Sequence, residues 1–225
     1  MHYTRLPNQS PEYLAQREAL RLAEIELMQH TERVAELRRQ LPQGPVVQDY
    51  VFQEGPPDLA AGDAPVTDVR LSQLFSAPGR SLVVYQFMYG KLQTSPCPMC
   101  TLWIDGFNGV ARHLAQNVDF VVVAAAEPSA LLAHAGNRGW DQVRVLSCGE
   151  NTFKYDLGSE DEAGNQDAQV SVLVRNDAGI RHTYSARAFI TEQNRERGID
   201  ALCAVWNVLD LTPQGRGDWY AGLDY

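Results

Sequence analysis

The chain has 225 residues, enough for one large domain or one domain with an appendage. With 44% hydrophobic and 21% charged residues it has the make-up of a globular protein, and a net charge of −9 argues against the basic face that a nucleic-acid or anionic-membrane surface requires. Cys97, Cys100, Cys148 and Cys203 are too few and too scattered for a disulfide scaffold. Together with the absence of an apolar leader or of any run near the ~20 apolar residues of a membrane span, this points to a reducing, cytoplasmic setting with no membrane partner.

In chain order, residues 1–9 read as a loose arm. Ser10-Pro11-Glu12 is a helix start, with Ser10 as N-cap and Pro11 at the first position. The helix is expected to run to about Gln40, with Leu14, Leu20, Leu22, Ile25, Met28, Val34, Leu37 and Leu41 among many charges. Such a helix is either a solvated element of its own domain or a dimerisation arm, so the expected division is 1–41 as a helical extension and 42–225 as the main domain. Residues 46–52 read as one strand, 54–65 as an irregular surface loop, 66–70 as a short strand and 72–75 as a helical turn closed by Pro78-Gly79.

The stretch 82–89 is an apolar, β-rich run with Gly90 behind it, as for an interior strand. Cys97-Pro98-Met99-Cys100 follows, and then Leu102, Trp103, Phe107, Val110, Ala111 and Leu114 fall at helical intervals. A second interior strand is expected over 118–126, a crossover helix over 128–137, and a third strand over 143–146. Residues 149–168 are polar and glycine-rich. Strands at 169–175 and 180–185 are joined by the turn Asn176-Asp177-Ala178-Gly179, and a last helix is expected over 199–209. Alternation predicts parallel strands, and the closing hairpin adds antiparallel ones. The fold class is therefore α/β, a thioredoxin-like mixed sheet flanked by helices with the long N-terminal helix appended.

A cysteine at a helix start faces unpaired N–H groups and the positive end of the dipole, which stabilise thiolate over thiol and bring the pKa below the free value of ~8.5. Cys97 is the better placed, so it is expected to attack, and Cys100 one turn on to resolve a mixed disulfide. Two ordinary structural cysteines, or metal ligands, are the alternatives to this C-x-x-C reading. His113 cannot join such a metal site, lying sixteen residues past Cys97 on the same helix and more than about 20 Å away; His182 can.

The chain resembles the bacterial thioredoxin-like family catalogued as domain-of-unknown-function family 899. The segments that carry the likeness are 12–41 with Asp49-Tyr50-Val51-Phe52, then 82–90, and then Cys97-Pro98-Met99-Cys100 leading to Asp105-Gly106-Phe107-Asn108-Gly109. Phe153-Lys154-Tyr155-Asp156, His182-Thr183-Tyr184-Ser185 and residues 209–216 complete it. The resemblance implies a fold related to thioredoxins and peroxiredoxins. Two departures matter: no proline stands near Ala168-Gln169-Val170, where thioredoxins carry one, and Pro96 precedes the pair in place of an aromatic residue. As in peroxiredoxins, a threonine, Thr94, stands three before the cysteine, and a peroxide site also calls for an arginine, Arg187 or Arg112.

The expected function is a thiol–disulfide oxidoreductase or thiol peroxidase with Cys97 and Cys100 as reacting groups and Thr94, Pro98, Trp103 and Arg187 in support. The substrate would be a protein or small-molecule disulfide or a peroxide, with an external thiol as reductant and no cofactor or metal. The alternatives are a non-catalytic scaffold, with homodimerisation through the N-terminal helix, or a metal site on the same two cysteines. Asp105 is expected on the helix surface, or as proton acceptor for Cys100 through water; Cys148 and Cys203 are expected as buried thiols.

Overall fold

The computed structural model describes residues 6–56, 65–149, 151–193 and 197–224, so part of the expected arm at 1–9 and of the expected loop at 54–65 lies outside the described residues. The chain divides into two units, Met1–Pro42 and Gln43–Tyr225. In the first, helix α1 (Pro11–Arg39) opens on Ser10, whose hydroxyl accepts the Tyr13 N–H, and closes on Arg38 and Arg39. None of its residues is buried. Its support is local: the cap, the favourable end charges, and solvent-screened ion pairs such as Glu18–Arg21 and Glu36–Arg39.

The second unit holds one eight-stranded sheet in the order β1-β8-β7-β4-β5-β6-β2-β3. Strands β1 (Val46–Val47), β2 (Val51–Glu54) and β3 (Thr67–Arg70) lead to a single 3-10 turn and to β4 (Ser81–Gly90). Helix α2 (Pro98–Leu114), β5 (Asp119–Ala125), α3 (Pro128–Arg138) and β6 (Arg144–Ser147) follow. The short α4 (Phe153–Asp156), β7 (Gln169–Asn176), β8 (Gly179–Arg187) and α5 (Ala204–Leu209) complete the unit. The β4, β5 and β6 strands are parallel, as the crossovers require, and β7 and β8 close antiparallel beside β4. The turn at Asn176–Gly179 is where the sequence puts it, with Gly179 at a φ of 117°.

Two elements are corrected. The strand expected over 46–52 is two strands, on opposite sides of the sheet: β1 pairs with β8, while β2 pairs with β3 and β6. The helix expected over 199–209 is interrupted at Cys203, whose extended backbone separates a 3-10 turn, Asp200–Leu202, from α5.

Alternation along β4 sorts the core into two faces. Tyr85, Phe87 and Tyr89 pack with α2, α3 and Trp206 of α5; Leu82 and Val84 pack on the other side with Phe52, Leu71, Phe75 and Phe153. Among the described residues, no helix is long and apolar enough to cross a membrane.

Candidate functional site

The site forms where β4 ends. Its pairing with β5 shifts between Phe87 and Gly90, a bulge that takes the Phe87–Met88 peptide out of the regular ladder. Gly90 has a φ of 108°, and a Cβ there would lie 2.0 Å from the Ala126 nitrogen, so only glycine lets the chain leave the sheet at this point. Beyond a tight turn at Lys91–Leu92, the chain returns so that the Cys97 N–H donates to the Met88 carbonyl at 3.2 Å.

Cys97 is the N-cap of α2 and Pro98 its first residue. The Cys97 sulfur accepts the Cys100 N–H at 3.4 Å, and the Thr101 hydroxyl donates to the Cys97 carbonyl at 3.0 Å. The Cys100 thiol, the Cys100 and Met99 N–H groups and the Tyr220 hydroxyl all favour the Cys97 thiolate; against the opposing effect of burial they bring its pKa down to about 7. Cys97 is 8% exposed and Cys100 only 1%. Burial pushes the Cys100 thiol well up, and the neighbouring Cys97 adds to that, while the Met88 N–H and the Tyr85 hydroxyl pull the other way. The pair is thus asymmetric: one sulfur at the helix mouth ionises near neutrality, and the other, buried behind it, holds its proton.

The remaining expected residues are distributed unevenly. Pro98 sets the helix start, and Trp103 is a buried wall of the same cluster, its indole N–H without a partner among the described residues. Thr94 is exposed, with no hydrogen bond to Cys97 among the described residues. Arg187 is not brought to the thiols. Its guanidinium donates to the Gln169 side chain and the Gly158 carbonyl, on the sheet face opposite α2. Arg112 is bound to Gln142. Asp105 is no proton acceptor for Cys100: it binds Arg138 and the Trp140 indole N–H, fastening α2 to the end of α3.

Burial pushes Cys148 up to about 11 and raises Cys203, so neither is a ready thiolate. No group of three or more His, Cys, Asp or Glu side chains among the described residues is placed to hold a metal ion; a metal on Cys97 and Cys100 would have those two ligands alone.

Three contributors were not legible as site residues. Tyr85 reads as strand core, yet its fully buried hydroxyl has no hydrogen bond of standard geometry and faces Cys100. Tyr220 sits in a polar tail. Lys154 sits in the stretch 149–168 that reads as polar and glycine-rich, yet it is buried, with its ammonium on the Phe87 carbonyl at 2.7 Å.

An interior strand leading into a helix, a parallel crossover and a closing hairpin define a thioredoxin-like fold, and solved structures share it. A Burkholderia cenocepacia protein provisionally named a thioredoxin reductase superposes with a TM-score of 0.52 at 17% identity, over 73% of this chain and 97% of that one. Enterococcus faecalis AhpC superposes at 0.50 with 14% identity, over 80% and 98% of the two chains. Mycobacterium tuberculosis AhpC does so at 0.50 with 16% identity, over 80% and 99%. At these identities the likeness is one of fold. No curated protein matches in sequence. The chain belongs to the family described as "Bacterial protein of unknown function (DUF899)", matched over residues 4–224.

Proposed function

We propose that this protein is a thiol–disulfide oxidoreductase in which Cys97 attacks a disulfide substrate and Cys100 resolves the resulting mixed disulfide. The observation that carries the reading is the position of Cys97 as N-cap of α2, its sulfur facing the Cys100 N–H and its thiol lowered to about 7. The Cys97 thiolate displaces one thiolate from the substrate disulfide; Cys100 then loses its proton to solvent and attacks the Cys97 sulfur, releasing the second substrate thiolate. The substrate gains the two electrons that the protein pair gives up in forming Cys97–Cys100, and an external thiol restores the dithiol. Disulfide exchange is preferred to peroxide reduction because, among the described residues, exposed Thr94 makes no hydrogen bond to Cys97 and the Arg187 guanidinium is engaged by Gln169 and Gly158.

The test is alkylation of the reduced chain as a function of pH, followed at each cysteine by mass. Cys97 reacts first, with a midpoint near pH 7, and limited oxidation yields an intramolecular Cys97–Cys100 disulfide. A Cys97 midpoint at or above that of a free thiol, or oxidation that never links the two, overturns the proposal.

A further inference from the structure

We propose that Lys154 is a positioning residue for the second thiol: a buried ammonium on one face of the sheet that stabilises the Cys100 thiolate on the other through a single peptide group. The inference rests on the disulfide chemistry proposed above. Lys154 is 1% exposed, and its nitrogen donates to the Phe87 carbonyl at 2.7 Å. The N–H of that same peptide belongs to Met88 and faces the Cys100 sulfur. A trans peptide points its C=O and N–H in opposite directions, so one planar unit binds the ammonium at one end and turns its N–H toward the thiol at the other. The bulge at Phe87–Gly90 makes both ends available, and the Met88 carbonyl holds the Cys97 N–H beside them.

The charge balance around Lys154 supports the assignment. A buried ammonium is costly unless an anion or dipole compensates it. Among the described residues no carboxylate lies within ion-pairing distance of Lys154: Glu160 is paired with Lys91, and Asp167 has Arg187 as its nearest cation. The titratable groups that face it are Cys148, Cys100, Glu160 and Asp167, and those that face Cys100 are Cys97 and Tyr85. Cys148 keeps its proton to about pH 11, whereas Cys100 must ionise in every turnover of the proposed reaction. The missing counter-charge therefore forms during the reaction: Cys100 gives its proton to solvent, and the thiolate attacks Cys97 with the polarised Met88 N–H beside it. Burial brings Lys154 itself down to about 8, so at neutral pH it is still the cation the step needs.

The experiment follows the two coloured equivalents released when the reduced full-length chain meets dithiobis(nitrobenzoate). The first reports attack by Cys97 and the second attack by Cys100, confirmed by the mass of the closed disulfide. In Lys154→Met the first release is unchanged. The second slows about tenfold at neutral pH, and the gap to wild type closes above about pH 8, where Lys154 has lost its own proton. Lys154→Arg, which keeps the charge, restores the second release toward wild type. An unchanged second release in Lys154→Met, or a loss as large in Lys154→Arg with the first release intact, overturns the proposal.

Should the variants fail to fold, the wild-type profile decides. A thiolate that needs the ammonium beside it gives a second release that climbs about tenfold per pH unit up to about pH 8, where Lys154 loses its proton, and then flattens. A continued climb at that slope through pH 9 overturns the role of Lys154. A missing first release instead overturns the disulfide chemistry itself.

Discussion

The two faces of β4 are both buried, but they are built from different materials. On the α2 face Tyr85, Phe87 and Tyr89 meet Phe107, His134 and Trp140 ring to ring, with Tyr85–Phe107 centroids 5.3 Å apart and Phe87–Trp140 5.9 Å apart. On the other face Leu82 and Val84 give way to Gln86, whose amide donates to Ser171 at 2.8 Å and accepts from Ser159. Ser171 continues to Ser185, and Ser185 to His182, each at 2.8 Å. The aromatic face supplies a low-polarity wall behind the thiols, which by itself holds protons on sulfur. The polar face supplies fixed dipoles and one ammonium. The two meet at the bulge where β4 ends, and there one sulfur is freed to ionise while its neighbour is not.

The comparison is broken most completely at the thiols. Cys97→Ser removes the only cysteine at the mouth of α2, and disulfide exchange falls to solvent background in a release assay. Cys100→Ser keeps the first attack and stops at the mixed disulfide, which accumulates as a stable adduct seen by mass. An adduct that clears as fast as in wild type means that another thiol resolves it.

Stability separates the faces next. Phe87→Ala leaves a cavity against Tyr89, His134 and Trp140 and is expected to cost about 3–5 kcal/mol in urea unfolding. Gln86→Leu fills similar space but leaves Ser159 and Ser171 short of a partner, for about 1–3 kcal/mol. Equal losses would mean that the hydrogen-bonded face is as sensitive as the packed one.

Sequence carried much of this, unevenly. The apolar run of β4, the helical spacing after Cys97, the β4–β5–β6 crossovers and the turn at Gly179 are local signals, and the fold obeys them. What failed was non-local. Nothing in Val46 to Phe52 says that the chain crosses from one side of the sheet to the other, because both halves have the same β-rich pattern. Arg187 stands out by residue type, but strand alternation alone does not fix its face without the register of β8; in place it is bound to Gln169 and Gly158. Lys154 shows the same limit from the other side. A lysine among acids and glycines is usually solvated, and only the tertiary fold reveals that its nitrogen ends on a strand carbonyl.

The finest test concerns a residue that lies between buried and exposed. Tyr220 is 53% exposed, yet the tail carrying it is anchored: Trp219 packs edge-on against Trp206 at 5.7 Å, and Arg216 lies 4.7 Å over the same ring. Arg216 also pairs with Asp200 at 2.6 Å and Asp210 at 2.7 Å, and Ala221 is buried in the cluster that holds Cys97. The tail thereby brings a phenol to the Cys97 sulfur, where it joins the two helix N–H groups and the Cys100 thiol in favouring the thiolate. Tyr220→Phe keeps the ring and removes only that donor. One hydrogen bond of about 0.5–1.5 kcal/mol corresponds to about half a unit to one unit of pKa, so the alkylation midpoint of Cys97 rises by that much. The sign is fixed: less stabilisation of the anion means that a higher pH is needed to form it. No movement would show that the hydroxyl is incidental; a return to the free-thiol value would show that the tail, and not the helix start, sets the reactivity of Cys97.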